Sequence, residues 1–349
     1  MDELSLLRMA AQRLVGPRAA TPTEAVRRLT AVQAQDLPGA LTSVALRTAT
    51  GTRAAVAAAL DAGEVVRSWP MRGTLHLVAA EDLRWMLALL GPRALARAAT
   101  RRAALELTGR DVERARELVA TALHGGRRLG RGELLAAIAD GGISTAGQRG
   151  YHLLWYLAQT GTLVLGPMRA GEQLFVLLEE WVPASGPRER AEALGDLALR
   201  YFAGHGPATV PDLVRWAGLG VRDVRAGLAV AAPQLERREV DGTEHWLDPA
   251  TPERLAAARA EAEGVLLLPG FDELVLGYAD RSCTVPPQFA ARIVPGNNGM
   301  FRATALHCGQ VVAVWRAGRT GARPIELEPF TELPAEVVAA VQERFAALP

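Results

Sequence analysis

Two glutamines stand two residues apart, Gln33 and Gln35 in "TAVQAQDLPG" (residues 30–39), and they are the side chains whose spacing first points to chemistry. The helix expected before them starts well: Thr21 caps it, Pro22 suits its first position, and Glu24 completes a capping box. Val26 and Leu29 mark its apolar stripe. The next place on that stripe is Gln33, where a helix built only to pack would carry leucine. Pro38 disfavours helical geometry at Leu37, and Gly39 completes the expected break. If the chain is already extended at Gln33, a period of two turns both amides to one side and makes a paired amide site on bent backbone. A frayed polar helix end accounts for the same residues.

Much other chemistry is excluded by composition. The 349 residues contain no lysine, so all 39 basic side chains are arginine. No side chain can form a Schiff base, and no phosphate-binding loop with its lysine exists. P-loop nucleotide hydrolysis and pyridoxal phosphate catalysis therefore drop out. Cys283 and Cys308 are far apart with no CxxC pattern, which points to a reducing cytoplasm and no structural zinc. His124, His205, His245 and His307 show no metal-ligand spacing, and no metal is expected. Asp272-Glu273 in "PGFDELVLGY" has the composition of an acid–base pair, but fixing a turn or a domain junction is the favoured reading. The seven tryptophans are scattered and form no platform for single strands.

Net charge is only +1, but its distribution is uneven. Residues 1–150 hold 21 Arg against 14 Asp and Glu, and residues 151–349 hold 18 against 24. A basic half joined to an acidic half points to an anionic partner for the first. No apolar run approaches the ~20 residues of a membrane span. "MDELSLLRMAAQRL", with acids at Asp2 and Glu3, reads as an amphipathic helix and not a signal peptide.

The elements that must position the glutamines are mostly helices punctuated by short hairpins. "GRDVERARELVATAL", "RGELLAAIADGG" and "STAGQRGYHLLWYLAQTG" read as three helices, followed by a hairpin "TLVLG", turn "PMRAGE", "QLFVLLE". Gly141 and Gly142 sit where a tight turn belongs. Helix, helix, helix, two-stranded wing is the order of a winged helix-turn-helix. The order recurs around 187–248, with Asp241-Gly242 as a hairpin turn, and around 21–79, with "VVRSWP" and "TLHLVAA" as the hairpin. "GVLLLPGFDELVLGY", "GMFRATALHCGQVVAVWRAG" and "RPIELEPF" read as antiparallel strands before a terminal helix. The expected architecture is mainly α with short β-hairpins: three tandem winged-helix units at 1–90, 91–185 and 186–250, then a small β-rich C-terminal domain at 251–349.

These segments carry a resemblance in order along almost the whole chain. With "AVQAQD", "MRGTLHLVAAEDLRWM", "AGQRGYHLL", "LLPGFDELVLGYADRS" and "NGMFRATALHCGQVVAVWR", the chain resembles the AlkZ/YcaQ family of crosslink-repair DNA glycosylases, which are built from tandem winged helices. The resemblance implies a monofunctional glycosylase for bulky N7-alkylated purines, including interstrand crosslinks in some members. Gln33 and Gln35 fall at the catalytic Gln-x-Gln position of the AlkZ-like antibiotic self-resistance subgroup, whereas broad-acting relatives carry Gln-x-Asp. Asp36 follows, one place off register. An N7-alkylguanine is cationic and already a good leaving group. Placing a water and steadying an oxocarbenium-like sugar is then the remaining task, one that suits amides better than a strong base.

Further DNA-facing candidates follow from pattern. Arg72, Thr74 and His76 alternate in "RGTLHLV" and are expected on one face of a strand, as a polar wall near the glutamines or as an ordinary solvated wing edge. Gln148, Arg149 and His152 fall on the exposed side of the second unit's recognition helix, where Arg149 suits a phosphate. Arg128 belongs to the basic cluster of Arg127, Arg128 and Arg131. The expected partner is damaged double-stranded DNA, bound by a cytoplasmic monomer without membrane or cofactor. The rival is a non-catalytic winged-helix transcription regulator, which would dimerise and read one duplex sequence.

Overall fold

In the computed structural model, which describes residues 3–186, 188–318 and 325–349, the helix before the glutamines runs Pro22–Leu29. Thr21 Oγ1 accepts the Glu24 N–H at 3.1 Å, and Glu24 reaches back one residue further than expected, to the Ala20 N–H at 3.0 Å. Thr30 then takes φ 67° and turns the chain out of the helix, so Gln33 does not continue the helical stripe. Val32–Gln33 form a two-residue strand, β1.

The expected break at Pro38 is a helix start. A helix runs Leu37–Leu46 with Asp36 at its N-cap and Pro38 in its first turn. There proline has no helical N–H bond to lose, and its fixed φ suits the helix, which overrides the bias against helical Leu37. Gly39 serves close approach, because a Cβ there would lie 2.6 Å from Asp36 Oδ2.

The next helix, Arg53–Asp61, leads into the first hairpin, β2 (Val65–Met71) and β3 (Thr74–Ala79). Arg72 and Gly73 form its tip, with φ 55° and 77°. The helices Gly109–Leu123, Arg131–Asp140 and Arg149–Gln159 precede the second hairpin, β4 (Leu163–Arg169) and β5 (Glu172–Leu177). Its strands reach further than the expected turn at 167–172 allowed, leaving only Ala170 and Gly171 at the tip, with φ 50° and 85°. Gly141 and Gly142 make the turn the sequence placed there, Gly142 with φ 90°, while a Cβ on Gly141 would come within 2.2 Å of Leu118.

The two hairpins and β1 join in one antiparallel sheet, ordered β1-β3-β2-β4-β5. Val32 pairs with Leu77 and Gln33 with His76, while Arg67 pairs with both Leu77 and Leu165. One helix not anticipated, Ala80–Arg97, runs unbroken across the expected boundary at 90/91.

The third array is Arg190–His205, Val210–Ala217 and Val221–Ala231, followed by β6 (Glu236–Val240) and β7 (Thr243–Leu247). Asp241 and Gly242, with φ 48° and 72°, make the hairpin turn their types predict. After helix Thr251–Glu263 come β8 (Val265–Leu268), β9 (Thr304–His307), β10 (Gln310–Ala317) and β11 (Ile325–Pro329). They pair in the order β11-β10-β9-β8, and helix Ala335–Ala346 follows.

The strand expected across "PGFDELVLGY" is instead a loop and the short helix Glu273–Leu276, capped by Asp272, which accepts the Leu274 N–H at 3.0 Å. The first helix, Glu3–Ala11, packs away from the first unit. Its Leu6, Leu7 and Met9 share a core with Leu255, Leu306 and Val311. Asp2, Arg323 and Pro324 lie outside the described residues. The architecture is mainly helical with small antiparallel sheets, and no described helix is long and apolar enough to cross a membrane.

Candidate active site

Gln33 sits half-buried on the edge strand β1, held from two sides. Its N–H donates to Glu273 Oε1 at 3.0 Å, and its side-chain Oε1 accepts from Arg72 Nη2 at 3.1 Å. A guanidinium only donates, so it fixes which end of the amide faces it. The oxygen keeps a second lone pair and the amide keeps two donors. Ala34 continues the ladder, its N–H donating to Leu75 O at 2.7 Å. Gln35 lies beyond the strand and is exposed, and its main-chain oxygen is 3.5 Å from Arg67 Nη2. The expected same-side placement of the amides required an extended chain through Gln35, and β1 stops at Gln33.

Arg72 was expected on a strand with Thr74 and His76, but it occupies the hairpin tip. From there it folds back and also donates to His76 Nε2 at 3.2 Å. That assigns the ring proton to Nδ1, which donates to Thr74 O at 2.9 Å. His76 is fully buried beside Gln33, so it serves to hold Arg72, and neither direct DNA contact nor a solvated wing edge is available to it. Burial, and then the Arg72 charge, push its pKa down to about 3, so the ring is neutral. Thr74 has a buried hydroxyl without a partner among the described residues. The Arg72 side chain lies along Gly218, where a Cβ would come within 3.2 Å of its Cγ. Gly218, at the C-cap of Val210–Ala217 with φ 70°, ends that helix close against the hairpin tip.

Glu273 is the residue that sequence reasoning left at a turn or junction. Its carboxylate is fully buried. Oε1 serves Gln33, Oε2 accepts from Trp216 Nε1 at 2.9 Å, and His205 Nε2 lies 3.5 Å from Oε2. Burial alone would raise its pKa, but His205, the Trp216 N–H and the Gln33 N–H outweigh that and hold it below the usual value. Burial lowers the Arg72 pKa, and the Glu273 charge opposes that in part. The neighbouring Asp272 fits the junction reading. It takes Arg47 Nη1 and Nη2 at 2.8 Å each and Ser43 Oγ at 2.6 Å, tying "PGFDELVLGY" to the helix that follows the glutamines. The signal available in sequence was the acidic pair itself inside an otherwise apolar segment.

The other candidates are dispersed. Gln148 is exposed but precedes its helix, and Arg149 is tied down by the carbonyls of Ser144 (3.0 Å), Leu105 and Glu106 (3.2 Å). His152 is buried against Trp155. The three therefore do not form the expected DNA-facing surface, because the helix starts at Arg149 and turns His152 inward. Arg128 is exposed and lies over the Trp181 ring, 4.9 Å from its centre. Among the described residues no group of three or more His, Cys, Asp and Glu side chains is placed to hold a metal.

A fold of helices and small antiparallel sheets matches known proteins. The model of the DNA glycosylase AlkZ-like family matches residues 26–348, so the chain belongs to that family and is a DNA glycosylase. The curated interstrand DNA cross-link repair glycosylase of Streptomyces sahachiroi is 28% identical over 334 residues, covering 93% of this chain and 89% of that protein. The solved structure of Streptomyces sahachiroi DNA glycosylase AlkZ superposes with a TM-score of 0.82 at 26% identity, covering 99% of this chain and 95% of that one.

Proposed function

We propose that this chain hydrolyses the N-glycosidic bond of bulky N7-alkylpurines in duplex DNA, interstrand crosslinks among them, with Gln33 and Gln35 at the reacting sugar. The two-sided hold on Gln33 carries this reading: Glu273 fixes its main chain and Arg72 its amide. A side chain so constrained suits a reaction whose leaving group is already activated, because alignment alone can supply roughly 7–11 kcal/mol. Gln35, exposed beside it, offers the acceptor that would orient the attacking water. The Streptomyces sahachiroi relative, named as an interstrand DNA cross-link repair glycosylase, supports the substrate range.

The reading extends to three winged-helix units, each a helix array closed by a hairpin, and to a monomer acting in the cytoplasm on DNA without a cofactor. Arg128 and Gln148, both exposed, are the candidates left to contact the DNA backbone. A bulky adduct ties the base to other material, so an open cleft suits it better than the snug pocket of base-flipping enzymes.

The test is base release from a duplex with one N7-methylguanine, beside one with a bulky adduct, read as strand breaks after alkali. Wild type should release base, and the Gln33→Ala/Gln35→Ala protein should lose about 10²-fold or more. A folded double variant that keeps the wild-type rate ends the glutamine assignment. No release by wild type, with sequence-selective binding to undamaged DNA, would favour the regulator.

A further inference from the structure

One face of the β1-β3-β2-β4-β5 sheet is covered by helix Arg149–Gln159, and between them lies a cavity of about 270 Å³. Its lining mixes apolar and aromatic side chains, Trp69, Leu75, Phe175 and Leu154 with Tyr151, and four charged or polar ones, Glu172 among them. The tyrosine is one of the few large hydrophobic side chains left open, 41% exposed. It is nonetheless ordered, edge-on to Trp69 at 6.4 Å and 79°, with the Arg131 guanidinium 5.6 Å from its ring centre. Held by Trp69 and Arg131 yet still open to solvent, the ring keeps surface on which another aromatic group can stack.

The cavity begins where the glutamine motif ends. Two of its wall residues hold the motif's backbone. The Leu75 carbonyl accepts the Ala34 N–H, and Arg67 donates to Ala34 O at 2.9 and 2.6 Å. Arg67 also reaches Gln35 O and, across the cavity floor, Gln173 Oε1 at 3.1 Å. The side chain of Gln33 leaves from the opposite face, with its partner His76 and with Ser68, toward Arg72. The sheet edge therefore separates the place where a sugar would be attacked from an aromatic recess on the other side of the same loop.

Resting on the glycosylase reading above, we infer that this recess holds the aromatic part of the substituent carried on purine N7. N7 lies on the major-groove edge of guanine, so an N7 substituent leaves the base on the side away from the glycosidic bond. A lesion with its sugar at Gln33 and Gln35 would then extend its arm past the loop, onto Tyr151. The space suffices, since apolar cavities of about 150 Å³ take up benzene. A methyl group is too short to reach it, so the recess discriminates by the arm and not by the base.

The experiment compares single-turnover release of N7-benzylguanine and of N7-methylguanine from otherwise identical duplexes, for wild type, Tyr151→Ala and Tyr151→Phe. Tyr151 is open to solvent, and thermal melting checks that both variants fold. The benzyl-to-methyl ratio of single-turnover rate constants at subsaturating enzyme should fall about tenfold in Tyr151→Ala, the effect of losing one stacking contact, and return in Tyr151→Phe. Release of both bases with an unchanged ratio in Tyr151→Ala overturns the recess. Release of neither by wild type overturns the glycosylase reading on which it rests.

Discussion

The main-chain N–H of Gln33 and Oε1 of Glu273, 240 residues apart in sequence, meet at 3.0 Å, so the C-terminal part of the chain places the strand that carries the motif. Asp272 strengthens the same junction through its two-pronged bond to Arg47. The active-site edge thus depends on a segment in which every residue from Phe271 to Tyr278 is buried.

Glu273→Ala is expected to damage both stability and activity. It strands the N–H groups of Gln33 and Trp216 and removes a buried charge beside His205. Losing one partner from a buried charged cluster costs about 3–5 kcal/mol. Glu273→Gln keeps the shape, but its NH2 must face one of the two donors, so a loss of about 1–3 kcal/mol is expected. Urea unfolding measures both. Wild-type midpoints for both variants would mean these bonds contribute nothing.

Arg72→Ala should release the Gln33 amide without unfolding the protein, since the hairpin tip remains closed by Gly73. The expected result is a fall in base release of about tenfold or more, the cost of losing one charge-assisted bond of about 1.5–3 kcal/mol. Affinity for an undamaged duplex should change less. Both bonds come from the one nitrogen Nη2, and Arg72→Lys, whose ammonium has donors enough but a shorter stem, should recover only part of the loss. Full recovery by lysine would reduce Arg72 to a simple charge.

Much of this site was legible in sequence, and the misses have physical causes. Thr21, Pro22 and Glu24 marked the helix start correctly because capping is local chemistry. Thr30 with positive φ left no comparable sign, since nothing in a threonine announces that conformation. His76 was read as polar and therefore outward, yet Arg72 and the Thr74 carbonyl satisfy both its nitrogens and let it be buried. The two hairpins join into one sheet through the Arg67–Leu165 pairing, and β1 joins through Val32–Leu77 and Gln33–His76, long-range contacts that period-two patterning does not encode.

The buried His76 makes stability depend on pH in a stated direction. Its folded pKa is about 3, below the ordinary value near 6.5. Between these values the unfolded chain binds a proton at this ring and the folded chain does not. Stability from this site is therefore complete above about pH 6.5 and is lost as pH falls, by about 1.4 kcal/mol per unit well below it. Unfolding free energies of wild type and His76→Asn at about pH 5 and 7 isolate the effect. The wild type should lose more on acidification. Parallel losses would mean that His76 takes up its proton without unfolding.

The absence of lysine sets the last expectation. Strand cleavage by a bifunctional glycosylase begins when an amine attacks C1′ and forms a Schiff base, and here no side chain can supply it. Hydrolysis leaves an intact strand with an abasic site, and borohydride has no imine to reduce. Borohydride during base release should therefore trap no protein–DNA adduct, and breaks should appear only after alkali. A duplex with a preformed abasic site, offered to wild type and to the identically purified Gln33→Ala/Gln35→Ala protein, controls for a contaminating lyase, which would cut or be trapped in both. A trapped adduct with wild type alone would require the N-terminal amine to reach the lesion, and would replace water with that amine as the nucleophile.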